Sequence, residues 1–260
     1  MSTAPETIAT PHTLVTGARP AGTADELSAS VNVQRMFDTI APSYDRLNHI
    51  LSVGLDRTWW LRASRAFLPV LRDPASRVLD LCCGTGDMTG ALIKLRPCKG
   101  APVTGVDFSA QMLDRARAKH AKANAVFVEA DALHLPYPDN SFDLITSAFG
   151  FRNLANYAEG LAELHRVLRP GGQIGILECN QPDGTIGSAY SLYFKKILPF
   201  IGGILSGDKA AYAYLPASVE RFPRAPRMLQ LIGEAGYIKS SWTPYTFGTA
   251  GLYRATKPCH

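Results

Sequence analysis

The sequence predicts an α/β fold: a mostly parallel, seven-stranded sheet with helices on both faces and a helical cap before the first strand. Three observations carry that prediction. From Arg77 onward, short apolar runs of strand length alternate with helical stretches of about 10 to 15 residues, as in a parallel sheet wrapped on both sides. The first run ends at Asp80 and passes through Leu81-Cys82-Cys83-Gly84-Thr85-Gly86 into a helical pattern, the strand-turn-helix arrangement of a nucleotide site. Finally, 260 residues of which 46% are hydrophobic suffice to bury one full core.

The elements follow in order. Residues 1–30 are rich in Ala, Thr, Pro and Gly without lasting periodicity, which predicts a mobile tail ahead of a single domain over residues 31–258. Val31 to Leu71 is helical in pattern, broken at Ala41-Pro42 because proline disfavours helix at the residue before it. Strands are predicted at Arg77–Leu81, Val103–Asp107, Ala125–Glu129, Phe142–Ala148 and Gln173–Glu178, with a closing pair between Tyr237 and Ala255. Ile186 to Leu215 is long, aromatic and glycine-containing; an insertion at this edge of the sheet is placed to cover a substrate.

Composition excludes several classes. The net charge is +5, but Lys and Arg are scattered instead of clustered, so no nucleic-acid partner is expected. Five cysteines without C-x-x-C spacing read as free thiols, and neither a metal site nor a disulfide framework is expected. No run reaches the roughly 18 apolar residues of a membrane span, and the N-terminus lacks the features of a secretory signal, so the expected location is cytoplasmic. The 186–215 insertion combines Tyr190, Tyr193, Phe194 and Phe200 with Lys195 and Lys196. That mixture suits peripheral contact with the inner face of the cell membrane, and equally a homodimer contact.

The chemistry is concentrated at strand ends. Gly84 and Gly86 let the backbone approach a ligand, but a Gly-x-Gly turn alone is also common structurally. Asp107 ends the next strand and is placed to accept both hydroxyls of a ribose; Asp131, just past the third, is placed to meet an adenine amino group. A dinucleotide dehydrogenase would want glycine three residues beyond Gly86, where the chain has Thr89. Asp80 would repel a pyrophosphate but could pair with the amino group of a sulfonium amino acid. Three acids at successive strand ends therefore favour S-adenosylmethionine (SAM), and with it a Rossmann-like class I methyltransferase.

These and further motifs give the chain, from about Val33 to Ala255, a resemblance to the menaquinone and ubiquinone biosynthesis C-methyltransferases. The more particular elements are Tyr44-Asp45-x-x-Asn48, Ser52-x-Gly54, Arg57-x-Trp59, Phe149-Gly150-x-Arg152-Asn153 and Tyr214-Leu215 with Ser218. The resemblance implies cofactor contacts at Thr85, Asp107, Asp131, Ala132 and Ala148, and methyl transfer to a ring carbon of a prenylated quinol, demethylmenaquinol first. The chain departs from the pattern at Phe151, where the family has Leu, at Asp56, where it has His, and at Ala148, where it often has Ser.

A hydroquinone becomes a carbon nucleophile once a hydroxyl loses its proton, so the enzyme must align ring and methyl and help that proton leave. Arg152 and Asn153 after the fourth strand are the predicted catalytic pair, with Tyr44 and Asp45 their partners from the cap. Arg152, permanently charged, would stabilise the phenolate or orient a water; the competing reading is a buried structural network. Glu178 divides evenly between facing the substrate and a structural role, Trp59-Trp60 reads as packing, and the histidines as surface or helix-packing residues, with His134 near Asp131 the one placed to reach ligand. Rival functions are methylation of a benzoquinol or another phenolic or lipid acceptor, an inactive SAM- or lipid-binding module, and a nicotinamide oxidoreductase.

Overall fold

The computed structural model describes residues 17–20, 23–42, 52, 54–182 and 209–259. Helix α1 (Glu26–Ile40) begins at a capping box: the Asp25 carboxylate accepts from the Ser28 N–H, and the Ser28 hydroxyl accepts from the Asp25 N–H. The tail predicted to reach residue 30 therefore ends sooner. Ala18 is already buried, its N–H donating to the Leu154 carbonyl, while Arg19 donates to the Ala155 carbonyl. As predicted, α1 stops just ahead of Pro42. Helices α2 (Asp56–Arg65) and α3 (Leu68–Arg72) complete the described part of the cap.

The sheet contains β1 (Val78–Leu81), β2 (Val103–Asp107), β3 (Ala125–Glu129), β4 (Phe142–Ala148), β5 (Leu168–Cys179), β6 (Ile238–Tyr245) and β7 (Ala250–Thr256). Their spatial order is β3-β2-β1-β4-β5-β7-β6, parallel throughout except for β7, which runs antiparallel to both its neighbours. Helices α4 (Asp87–Ile93), α5 (Ala110–Lys119), α6 (Tyr157–Val167), α7 (Lys209–Arg221) and α8 (Ala225–Glu234) lie between strands. Three of the predicted strands have the observed bounds. β5 is longer than predicted because it continues through an irregularity: Phe142 of β4 faces Leu168, and Leu144 then faces Gln173. The left-handed Gly171 (φ 77°) lies inside that excursion, so the Pro-Gly-Gly that reads as a turn interrupts the strand without ending it.

Side chains alternate across the central strands, and both sets are buried. Leu79, Leu81, Val106, Ile145, Ile174 and Ile176 pack against Tyr157, Leu161 and Leu164 of α6 and Met228 and Ile232 of α8. Val78, Val103, Leu144 and Leu177 face the other way, onto Trp60 and Ala63 of α2, Phe67 just before α3 and Leu71 within it, and Met88 and Leu92 of α4. The predicted insertion, 186–215, lies mostly outside the described residues. Its boundary at Leu215 falls within α7, whose Pro216 sits inside the helix.

Candidate active site

β1 pairs with β2 on one side and with β4 on the other, so the chain leaves the sheet in opposite directions at this seam. A crevice opens at the carboxyl ends of such neighbours. Here it is a cavity of about 360 Å³, walled by the ends of β1, β2 and β4, by α1 and α2, and by the turn between β6 and β7. Two non-glycine residues at its floor are left-handed: Cys82 (φ 52°) after β1 and Phe149 (φ 58°) after β4. They are held where the two chains cross, and a Cβ on Gly150 would lie 2.4 Å from that of Cys82. Strain of this kind persists where the surroundings fix it, which marks the floor as built for a purpose.

The donor side rests on three carboxylates. Asp80 lies on β1 beside Thr146 of β4, and Thr89 reaches it from one turn into α4: Thr89 Oγ1 donates to Oδ2 at 2.6 Å and Thr146 Oγ1 to Oδ1 at 3.2 Å. Complete burial, opposed by these hydrogen bonds, pushes its pKa up to about 7. Asp107 ends β2 and accepts from the Gly84 N–H at 2.8 Å and the Ser109 N–H at 3.0 Å, tying the glycine turn to the second strand. Burial raises it to about 6. A carboxylate at this strand end can accept the hydroxyls of a ribose. Asp131 is exposed; its Oδ1 accepts from the Leu133 N–H at 2.9 Å, which aims the loop after β3.

Beneath the turn, His120 at the end of α5 packs against Gly86 and Gly90, its Nε2 2.8 Å from the Gly86 carbonyl. Gly86 (φ 83°) thus serves conformation, capping α4 with its back to a ring, and does not itself wall the cavity. His134 is 75% exposed, with its ring near Asp131 and Glu159, and does not itself line the cavity.

The acceptor side is aromatic. Trp59 lies tilted against Phe149, ring centroids 5.8 Å apart, and its indole N–H donates to Thr246 Oγ1 at 2.8 Å. Trp60 is core. The 3-10 turn Phe151–Asn153 follows β4, and α7 holds it: Tyr214 OH donates to Asn153 Oδ1 at 3.2 Å, and Arg152 Nε donates to Ser218 Oγ at 3.3 Å. The Arg152 guanidinium also donates to the Phe149 carbonyl and to Glu178 Oε1 (2.9 Å), and its backbone N–H donates to Glu178 Oε2 (3.1 Å). Glu178 is wholly buried and Arg152 nearly so, so the charge expected to face a phenolate is already compensated.

Asp80, Gly84, Thr85, Asp107, Asp131, Ala132, Ala148, Arg152 and Asn153 all line the one cavity. Tyr44 and Asp45 lie outside the described residues. The sequence gives no sign of Ser30 and Phe37 of α1, Phe108 or Met112, all of which line the cavity, nor of the left-handed backbone at Cys82 and Phe149, which its motifs contain. An apolar face of α1 offers no sign of which ligand it will border.

Five aspartates, Asp56, Asp80, Asp87, Asp107 and Asp131, line the cavity among the described residues, Asp87 paired with Lys119 at 2.6 Å, and the lining cation, Arg152, is neutralised by Glu178. That donor set fits a cofactor bearing a sulfonium and an ammonium and opposes a pyrophosphate. Binding such a cation favours ionised Asp80 and Asp107, so it releases protons where their raised pKa values leave them protonated. SAM affinity is therefore expected to rise with pH through 6 to 7, by roughly tenfold in all. Titration calorimetry in two buffers of different ionisation enthalpy measures the release; an affinity flat from about pH 5.5 to 7.5 counts against it.

The strand order with its one reversed strand, joined to this acid-lined crevice, defines a class I SAM-dependent methyltransferase. More particularly, the chain belongs to the ubiE/COQ5 methyltransferase family, whose profile matches residues 25–257. It is 47% identical over 228 residues to a demethylmenaquinone methyltransferase of Deinococcus radiodurans, covering 86% of this chain and 92% of that one. To the protein of the same name from Thermus thermophilus it is 46% identical over 227 residues, 86% of this chain and 100% of the relative. Among solved structures it superposes on a SAM-dependent methyltransferase of Thermotoga maritima, described as a possible histamine N-methyltransferase, with a TM-score of 0.62 at 18% identity, covering 86% and 99% of the two chains. The [4+2]-cyclase SpnF shares the fold with a TM-score of 0.61 at 19% identity over 94% and 100%. A cyclase on the same scaffold shows that the fold alone does not choose the reaction. SAM is the cofactor of this chain, with the acid-lined wall as the place that suits it.

Proposed function

We propose that this protein transfers the methyl group of SAM to a ring carbon of a prenylated quinol, with demethylmenaquinol as its substrate in menaquinone biosynthesis. The observation that supports this most is the joining, in one cavity, of an acidic wall with an aromatic wall that carries Asn153. The name shared by relatives at 46–47% identity over nearly their whole length supports the naphthoquinol. Bound SAM supplies an electrophilic methyl; the chain's part is to hold the ring, exclude water and receive the hydroxyl. Asn153 spends its carbonyl oxygen on Tyr214, which leaves the amide nitrogen as the donor for a quinol oxygen. Arg152, engaged by Glu178, Ser218 and Phe149, sets the position of Asn153 beside it. Tyr44 and Asp45 of the cap are proposed to complete the acceptor side.

Transfer of labelled methyl to demethylmenaquinol and to a demethylated prenyl benzoquinol tests the substrate. Preference for the naphthoquinol by about tenfold or more in kcat/KM is expected. A reversed preference moves the protein to the benzoquinol, and tight SAM binding without transfer to either would make it a binding module.

A lipid substrate also requires a route from a bilayer, and we propose peripheral membrane contact around the cavity mouth and through 186–215. Leu55, on the cavity wall, is 40% exposed, and Phe247, next to the lining residue Thr246, is 80% exposed. Among the described residues no helix is long and apolar enough to cross a membrane. Flotation with anionic vesicles is expected to carry the full chain; failure to float, with sedimentation as a dimer, would assign the contact to a homodimer instead.

A further inference from the structure

We propose that helix α1 is a working part of the donor site: Asp38, through Ser109, positions the Asp107 carboxylate, so that docking of α1 and binding of SAM reinforce each other. The proposal rests on the reading of Asp107 as a cofactor ligand.

Ser109 is fully buried between the two acids. Its N–H donates to Asp107 Oδ1 at 3.0 Å, while its hydroxyl oxygen accepts the Met112 N–H at 3.2 Å as the N-cap of α5. The one hydroxyl hydrogen goes to Asp38 Oδ1 at 2.5 Å. Asp38 thus shares with the Met112 N–H in holding the residue whose own backbone N–H donates to Asp107, and Asp107 in turn holds the Gly84 N–H. Two more contacts bind α1 to the same loop: Gln34 Nε2 donates to the Phe108 carbonyl at 2.6 Å, and the Phe37 ring lies 6.4 Å from that of Phe108. From the same helix, Ser30 and Phe37 reach the cavity wall.

The coupling has an electrostatic cause. Asp38 and Asp107 carry like charge across Ser109, and the nearness of Asp38 helps hold the Asp107 carboxyl above its usual range. A docked α1 is therefore opposed by repulsion while Asp107 lacks a ligand, and that opposition falls when the hydroxyls of a bound nucleoside donate to the Asp107 carboxylate. By linkage, whatever factor α1 docking adds to cofactor affinity the cofactor returns to α1 docking.

Titration of Asp38→Ala with SAM and with S-adenosylhomocysteine, together with steady-state kinetics, tests this. We expect Kd and KM for SAM to rise about tenfold with kcat within about twofold, and Asp38→Asn, which keeps an acceptor for Ser109, to recover most of the loss. In the wild-type protein, saturating S-adenosylhomocysteine is expected to slow amide hydrogen exchange across α1; this decides the matter should Asp38→Ala fail to fold. A Kd within twofold of wild type, or α1 exchange unmoved by ligand, overturns the proposal. If Asp107→Ala weakens binding while Asp38→Ala does not, only this inference fails; if Asp107→Ala binds normally, the reading of the donor site fails with it.

Discussion

Replacing Glu178 with alanine is expected to lower the stability of the fold by about 3–5 kcal/mol, the cost of stranding one member of a buried ion pair. The side chain is completely buried at the end of β5, and Arg152 beside it is 6% exposed. Its Oε1 accepts from Arg152 Nη1 and from the Cys179 N–H, its Oε2 from the Arg152 N–H, so one carboxylate satisfies donors on two chain segments. Alanine would leave a guanidinium and two backbone donors in a space that water cannot easily fill. Urea unfolding measures the loss, and a change below about 1 kcal/mol would mean that the pair does not hold the turn. The double variant Glu178→Leu, Arg152→Met removes both charges at similar volume and is expected to regain only the share owed to the stranded guanidinium, because the backbone N–H groups of residues 152 and 179 still lose the carboxylate. Its methyl transfer should stay low, because Asn153 loses the neighbour that positions it. Wild-type turnover in that double variant would place Arg152 outside the chemistry and leave only the structural network.

The contrast between Arg152 and Asp107 shows what a sequence discloses. Strand periodicity placed β1 to β4 almost to the residue because both faces of the sheet are buried and each apolar run must fit one strand length. Asp107's place at the cavity is legible because it follows from position alone: an acid at the end of the second strand faces the crevice in any fold of this topology. Arg152 was found by motif, but its bonding was not legible, since Glu178 lies 26 residues further along and Ser218 66 residues along, on a helix after the insertion. Gly86 reads as a ligand contact, and the structure adds a conformational demand at the same position, a left-handed turn packed against His120, which lies 34 residues further along. The start of α1 was missed for a different reason: Asp25 and Ser28 are loop formers by composition and cap formers by geometry, and only their reciprocal hydrogen bonds distinguish the two.

Asp107→Ala is expected to weaken SAM binding about 100-fold, the equivalent of two charge-assisted hydrogen bonds or roughly 3 kcal/mol. The loss divides into two parts. The Gly84 and Ser109 amides lose their acceptor, which loosens the glycine turn, and the ligand loses the carboxylate itself. Two comparisons separate the ways the carboxylate can act. If it works by charge, SAM should lose more affinity than S-adenosylhomocysteine, which lacks the sulfonium; if it works by accepting ribose hydroxyls, both should lose equally. We expect near equality, because Asp80 lies on the neighbouring strand where it is better placed to answer the amino-acid end. A 2′-deoxy analogue completes a double-mutant cycle: wild type should discriminate against it by about tenfold, and Asp107→Ala hardly at all. Equal discrimination by the two proteins would show that Asp107 shapes the turn without touching the ribose. The acid at the end of β2 would then be a strut for Gly84, and the work of recognising the nucleoside would pass to the backbone of the glycine turn and to α1.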